Sequence, residues 1–312
     1  MKISILIPVY NEEESLPYLF DRLKSVTAEI SGYEWEFLFV NDGSSDKSLS
    51  LIKAARKDDR RFRFIDFSRN FGKEVSMMAG FDHVKGDCVI IMDADLQHPP
   101  ELIPDMIKYW EQGYEDVYAN RTNRETDGFF YRLFAKFFRK SINKMSDIEL
   151  QNDAGDFRLL DRACIDSLKQ MREVDRYTKG MYCWIGFKKK SMDFTASPRI
   201  AGKTKWSPFK LLGLAIDGIT SFTVTPLRIS TILGVLISLC AFMYMFVIIF
   251  KTLIYGEPQH GFPTIMVTVL FLGGIQLLAL GIIGEYIGTI FKETKKRPPY
   301  IIKEIDDDDE KE

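Results

Sequence analysis

The sequence CVIIMDAD at residues 88–95 predicts the fold of the first part of this chain. The apolar run from Cys88 to Met92 is typical of a buried β-strand, and Asp93 and Asp95 follow it at once. Two carboxylates at the end of a buried strand are costly unless a cation lies beside them. A divalent metal ion that carries a diphosphate would meet that need. This stretch therefore indicates a site for a nucleotide diphosphate.

Strand and helix signals alternate on both sides of this stretch. Strands are predicted at 4–7, 36–40, 62–67, 89–92 and 117–119, and helices at 15–29, 45–58, 73–84 and 100–112. Such alternation predicts an α/β domain in which helices cover both faces of a mostly parallel sheet. Ligands of these sheets bind at the carboxyl ends of the strands.

Three of the predicted strands end in polar residues. The sequences are PVYNEEE at 8–14, NDGS at 41–44 and DADLQ at 93–97. Together they offer groups that can hold a base, a ribose and a metal ion. Neither GxGxxG nor GxxxxGK[ST] is present, so we expect a metal ion and basic side chains to meet the phosphate charge.

Composition excludes several classes of protein. The 312 residues carry a net charge of −2, so the chain as a whole lacks the excess of positive charge that is typical of nucleic-acid-binding proteins. The four cysteines are far apart without CxxC spacing, which favours a reduced environment over a metal or disulfide framework. Residues 1–8 predict a first buried strand and not a signal peptide.

Two uncharged runs near the end predict membrane spans. Residues 229–250 and 261–284 are each long enough to cross a hydrocarbon core of about 30 Å at about 1.5 Å per residue. A buried helical hairpin in a soluble protein is the alternative. Lysines and arginines flank the outer ends of both runs, so the positive-inside rule places both termini in the cytoplasm.

This pattern divides the chain into six segments. They are a cytosolic domain at 1–205, an interfacial amphipathic segment at 206–226, a first transmembrane helix at 227–252, an external loop at 253–261, a second transmembrane helix at 262–290 and a cytosolic acidic tail at 291–312. The acidic residues from Asp306 onward are predicted to be disordered.

Eight motifs carry a resemblance to a known family. They are PVYNEEESL at 8–16, VNDGSSD at 40–46, FSRNFGKE at 67–74, MDADLQHPPE at 92–101, GDFRLLDR at 155–162, GKTKW at 202–206, GIIGEYIGTIF at 281–291 and KRPPYII at 296–302. Their order resembles the family 2 glycosyltransferases of GT-A fold, in the polyprenyl-phosphate branch. Dolichol-phosphate mannose synthases belong there, as do bacterial undecaprenyl-phosphate glucosyl- and N-acetylglucosaminyltransferases with two C-terminal spans.

The resemblance implies a role for individual residues. Nucleotide-sugar binding is implied for Pro8, Tyr10, Asn11, Glu12, Asp42, Lys73, Asp93 and Ala94, with a solvated helix start as the alternative for Lys73. Metal binding, with Mg²⁺ or Mn²⁺, is implied for Asp93, Asp95 and Gln97. Phosphate binding is implied for Arg121, Arg132, Arg199 and Lys205. The catalytic carboxylate is Asp156, as a base or as an orienting group.

A base is hardly required if the acceptor is a phosphate monoester. The second pKa of such a group is about 6, so it is already a dianion near neutral pH. We therefore expect Asp156 to orient the acceptor or a sugar hydroxyl, or to pair with an arginine.

The resemblance also implies an activity. It is the transfer of glucose or N-acetylglucosamine, with inversion, from a UDP-sugar to undecaprenyl phosphate at the cytosolic face of a bacterial plasma membrane, for cell-envelope glycosylation. The implied partners are these two substrates, the bilayer and further copies of the chain, with a tetramer among the candidates, and no nucleic acid. Two alternatives stay open, a processive polysaccharide synthase and a non-catalytic nucleotide-sugar-binding membrane subunit. The synthase usually carries a QxxRW motif, and no Arg-Trp pair occurs in this sequence.

Overall fold

The computed structural model describes residues 1–121, 154–174, 176–194, 225–255 and 261–306. The chain divides into two compact units. The first contains residues 1–211 and 297–312, and the second contains residues 212–296. Each unit is described by itself below.

The first unit alternates strands and helices, as the sequence predicts. Its elements are β1 (Lys2–Val9), α1 (Leu16–Ala28), β2 (Glu34–Asn41), α2 (Ser48–Asp58), β3 (Phe62–Phe67), α3 (Lys73–His83), β4 (Cys88–Ile91), a 3₁₀ turn (Pro100–Leu102), α4 (Ile103–Glu111), β5 (Asp116–Arg121), β6 (Ala154–Asp161), α5 (Arg162–Gln170), α6 (Thr178–Trp184), β7 (Lys189–Phe194) and β8 (Ile302–Ile305). The α/β class is thereby confirmed.

One eight-stranded sheet runs through this unit in the order β7-β5-β6-β4-β1-β2-β3-β8. Strands β1 to β4 pair in parallel, whereas β6 is antiparallel to β4 and β5, and β8 is antiparallel to β3. The central strands are almost continuously apolar, because helices cover both faces. The sheet is thus mostly parallel, with antiparallel β6 beside the strand that carries the aspartates.

The register of β4 and β6 has a consequence for the site. Ile91 on β4 is paired with Arg158 on β6, and the two strands run in opposite directions. Asp93 lies two residues after Ile91 and Asp156 two residues before Arg158, and both carboxylates contact Lys73. Residues 63 positions apart in the chain therefore meet at the end of β4.

Strand β8 was not predicted from the sequence. Residues 302–305 return to the sheet beside β3, and the amide of Asp306 donates to the carbonyl of Phe64 at 3.1 Å. The Asp306 carboxylate also pairs with Arg56. The prediction of disorder from Asp306 onward is therefore wrong at its first residue, and residues 307–312 lie outside the described part.

The second unit contains two long helices, α7 (Thr225–Tyr255) and α8 (Phe262–Thr294). Within the described residues, one segment is long and apolar enough to cross a membrane, the 24 residues Phe271–Thr294 in α8. A first span at 227–252 stays a prediction. The predicted interfacial segment at 206–226 lies outside the described residues except for the first two residues of α7.

Candidate functional site

A cavity of about 370 Å³ lies at the carboxyl ends of β1, β2 and β4. Eight of the residues predicted to bind nucleotide sugar or metal line it, namely Pro8, Tyr10, Glu12, Asp42, Lys73, Asp93, Ala94 and Asp95. The lining also includes Asn70, Gly72 and Ser76, which the sequence analysis did not select. The three polar strand ends therefore meet in one place, as expected of a parallel sheet.

Asn11 is not among the residues that line the cavity. Its backbone has a φ of 57°, a left-handed conformation that asparagine tolerates better than most residues. Its side-chain oxygen accepts a hydrogen bond from the amide of Ser45 at 2.8 Å, and its own amide donates to Ser44 Oγ at 3.0 Å. Asn11 thus joins the loop after β1 to the loop after β2.

Asp42 organises the loop that precedes α3. Its two carboxylate oxygens accept from the amides of Phe71 at 2.6 Å and Gly72 at 2.9 Å. Burial raises the pKa of Asp42, and the two amide donors lower it by less. Asp42 therefore shapes the cavity wall from which Lys73 extends.

The turn after β4 is held by contacts among its own residues. Leu96 is buried with a φ of 61°, which is unusual for a bulky side chain. The amide of Gln97 donates to Asp95 Oδ1 at 3.1 Å, and the amide of Asp93 donates to His98 Nδ1 at 3.1 Å. The first contact orients the carboxylate of Asp95, and the second holds the backbone of Asp93.

His98 belongs to this turn as a supporting residue. Its ring stacks on Phe157 with centroids 5.0 Å apart. Because Nδ1 accepts the amide of Asp93, the ring is neutral with its proton on Nε2. Burial lowers the pKa of His98 further than Asp93 raises it, which favours the same neutral form. These contacts give His98 a structural role in the turn.

Lys73 connects the turn to Asp156. Its Nζ lies 2.6 Å from Asp93 Oδ1 and 2.8 Å from Asp156 Oδ2. The Asp156 side chain is 12% exposed, and its other oxygen, Oδ1, is buried without a hydrogen-bond partner in the described part of the chain. Lys73 was predicted to bind the nucleotide sugar or to be a solvated helix start, and its bridge between two carboxylates was not predicted.

These contacts set the charges of the three groups. Burial opposes the ionisation of Asp156 and Asp93, but the ammonium of Lys73 outweighs it and lowers both pKa values. Burial likewise opposes the charged form of Lys73, and the two aspartates raise its pKa above the usual value. All three groups are therefore charged near neutral pH.

A third acid, Glu74, lies beside this cluster. Glu74, next to Lys73, accepts hydrogen bonds from the amide of Thr178 at 3.1 Å and from the Thr178 hydroxyl. Burial and then Asp156 raise the pKa of Glu74. This contact ties the first turn of α3 to α6 and was missed, because no pattern links residues 74 and 178.

The carboxylates of Asp93 and Asp95 suit a metal ion that binds together with the nucleotide diphosphate. Among the described residues no group of three or more histidines, cysteines or acids is arranged to hold a metal ion. Asp93 and Asp95 nevertheless face one cavity, and Mg²⁺ and Mn²⁺ prefer oxygen ligands. Mg²⁺ is commonly held by one or two carboxylates together with substrate phosphates and water. For Gln97, the described contact is made by its backbone.

The predicted phosphate-binding residues lie mostly outside the described residues. This is true of Arg132, Arg199 and Lys205. Arg121 ends β5, and only its backbone is described. Their roles stay predictions.

Comparison with known proteins identifies both parts of the chain. Residues 4–168 match the family model of Glycosyl transferase family 2, and residues 225–290 match the GtrB C-terminal hairpin.

Three relatives match over nearly their whole length. A prophage bactoprenol glucosyl transferase homolog of Escherichia coli K12 is 43% identical over 98% of this chain and 99% of its own. A bactoprenol glucosyl transferase of Shigella phage SfV is 42% identical over 97% and 98%. An uncharacterized glycosyltransferase of Synechocystis is 42% identical over 98% and 96%.

Proposed function

Because the chain belongs to glycosyl transferase family 2 and carries the GtrB C-terminal hairpin, we propose that it transfers glucose from UDP-glucose to undecaprenyl phosphate. The observation that carries the proposal is the similarity to bactoprenol glucosyl transferases over 97% or more of both chains. These names favour glucose over N-acetylglucosamine, which the sequence analysis left open. The chain is accordingly a glycosyltransferase of the polyprenyl-phosphate branch.

The cavity provides the donor end of this reaction. Tyr10 is 46% exposed and lines the cavity, so its ring is available to a nucleoside base. Asp93 and Asp95 would hold the metal ion, Mg²⁺ or Mn²⁺, that neutralises the departing diphosphate as a Lewis acid. The cavity volume of about 370 Å³ is within the usual range of small-molecule sites.

Asp156 lies toward the acceptor end. A phosphate oxygen of the acceptor attacks the anomeric carbon, the new carbon–oxygen bond forms as the bond to the diphosphate breaks, and the configuration inverts. The acceptor phosphate needs no deprotonation. The lowered pKa of Asp156 also makes it a poor base, so we assign it the orientation of the acceptor or of a sugar hydroxyl.

The path of the chain supports a location at the membrane with two crossings. The chain leaves the first unit before α7 and returns to the same sheet as β8. A segment that starts and ends on one side of a membrane must cross it an even number of times. Since Phe271–Thr294 in α8 can cross once, the second crossing is assigned to α7, with the catalytic domain and both termini in the cytoplasm.

A lipid-extraction assay tests this function. Membranes that contain the protein would receive undecaprenyl phosphate and one labelled donor at a time, UDP-glucose or UDP-N-acetylglucosamine. We expect label from UDP-glucose in the organic phase, and Asp156→Asn to lower it by about a hundredfold or more, the size of effect that a well-placed charged group has on catalysis. Label in a polymer would support a processive synthase, and binding without turnover a non-catalytic subunit.

The pH profile of the same assay tests the role of Asp156. If Asp156 orients a substrate, a higher pH does not restore transfer in Asp156→Asn. Full recovery at high pH would contradict this assignment and support an acid–base role.

A further inference from the structure

The Lys73 bridge has a consequence for the order in which the ligands bind. Asp93 and Asp156 lie two residues beyond the pair Ile91–Arg158 on the adjacent strands β4 and β6, and both contact the same ammonium. Two like charges are thus brought close together, which is unfavourable unless a cation lies between them. Lys73 contacts one oxygen of each, at 2.6 and 2.8 Å. Among the described residues, the ammonium of Lys73 is therefore a cation that contacts both members of this pair.

The bridge is built into the fold. Lys73 is the first residue of α3, and Gly72 before it has a φ of 101°, a conformation that favours glycine. Asp42 holds this segment by accepting the amides of Phe71 and Gly72. The ammonium is thus directed to the pair by a helix start that is itself fixed.

A metal ion that arrives alone meets this ammonium. A divalent cation at Asp93 Oδ1 would lie close to Nζ of Lys73, and the two positive charges would repel each other. A diphosphate changes the balance, because its negative charge offers Lys73 another partner in the same cavity, which both Lys73 and Asp93 line.

We propose that Lys73 acts as an internal counter-ion that excludes the divalent metal until the nucleoside diphosphate enters, so that metal and diphosphate bind cooperatively. The inference rests on the proposed function, since it requires a nucleoside diphosphate as ligand. The ammonium of Lys73 then leaves Asp93 and pairs with the diphosphate. The carboxylate of Asp93 thereby becomes available to the metal ion. By linkage, the metal strengthens diphosphate binding by the same factor.

Direct binding of Mn²⁺ to the full-length protein in detergent tests this proposal. Free Mn²⁺ would be measured by electron paramagnetic resonance, with and without saturating UDP. In the wild type, we expect UDP to tighten Mn²⁺ binding by roughly tenfold or more, a usual size for coupling between two sites. In Lys73→Met, Mn²⁺ alone should bind several-fold more tightly than in the wild type, and the effect of UDP should shrink.

Three further variants control for charge and folding. Lys73→Arg keeps the charge and should bind Mn²⁺ alone as weakly as the wild type. Lys57→Met makes the same change in net charge at an exposed position near the end of α2 and should have no effect. Lys73→Gln repeats the test with a polar side chain if Lys73→Met does not fold, as judged by circular dichroism.

The outcomes separate this inference from the proposed function. Unchanged binding of Mn²⁺ alone in folded Lys73→Met or Lys73→Gln, while UDP still binds, would overturn the inference and leave the function intact. A wild-type protein that binds no UDP at any Mn²⁺ concentration would overturn the proposed donor and, with it, the cooperativity.

Discussion

At the scale of single residues, Gly43 shows how closely two loops approach beside the cavity. Its φ is 63°, and a Cβ atom built there would lie 2.5 Å from the backbone carbon of Arg69 and 2.7 Å from the nitrogen of Asn70. Both neighbours are backbone atoms that cannot rotate away. Gly43 therefore permits the contact between the β2 and β3 loops on which the hydrogen bonds of Asp42 depend.

We expect Gly43→Ala to weaken UDP binding and to lower the free energy of unfolding. Gly113→Ala is the matched control, because Gly113 also has a positive φ of 83° but no atom within 4 Å of a Cβ. Its cost should be limited to the strain of the left-handed conformation, about 1–2 kcal/mol. Chemical denaturation and UDP titration measure the two effects. Equal losses in both variants would show that the close approach is unimportant.

At the scale of elements, β8 ties the end of the chain to the β3–α3 region. The Tyr300 ring stacks on Phe67 with centroids 5.3 Å apart, and its hydroxyl donates to Asp82 Oδ2 at 2.7 Å. Arg172 also pairs with Asp82, at 2.7 Å. Tyr300 thus joins the residues that follow α8 to the end of α3, the helix whose first residue is Lys73.

Two substitutions separate the contributions of the ring and the hydroxyl. Tyr300→Phe keeps the stacking and loses one hydrogen bond, at a cost of about 1 kcal/mol. Tyr300→Ala should lower the unfolding free energy further, because the contact with Phe67 is lost as well. Thermal unfolding measures both, with Tyr18→Ala as a control at a position that is 58% exposed. If Tyr300→Ala costs no more than Tyr300→Phe, the stacking does not hold β8.

At the scale of the whole molecule, the return of β8 to the sheet predicts the membrane topology. Glu14 and Lys303 belong to the same unit and are both exposed, so the proposed topology places them on the same side of the membrane. The segment between α7 and α8 should lie on the opposite side. Strand pairing predicts that the two positions share one side, and the positive-inside rule predicts that this side is the cytoplasm.

Cysteine labelling with a membrane-impermeant maleimide tests this topology. The background would carry Cys183→Ser and Cys240→Ser, because these are the two cysteines that are not buried. Glu14→Cys and Lys303→Cys should both label in inverted vesicles, whereas His260→Cys should label in intact cells. Labelling of Glu14→Cys and Lys303→Cys from opposite sides would contradict the assignment.

The sequence by itself determined the α/β class, the elements up to β5 and most of the cavity lining. These features depend on local patterns, namely buried apolar runs, helix periodicity and polar residues at strand ends. In a parallel sheet such ends converge, so Tyr10, Asp42 and Asp93 could be placed at one edge without coordinates. The motif order was also sufficient to identify the family.

The pairing of the charges and the place of residues 302–305 in the sheet depend on the tertiary structure. The bridge from Lys73 to Asp156 joins residues 83 positions apart, and it depends on the antiparallel register of β6 beside β4. Strand β8 is four residues long and pairs with a strand more than 230 positions earlier. It pairs with β3 because of the three-dimensional arrangement of the sheet edge. Such long-range contacts leave no periodic signal in the sequence, because they are fixed by the packing of distant elements.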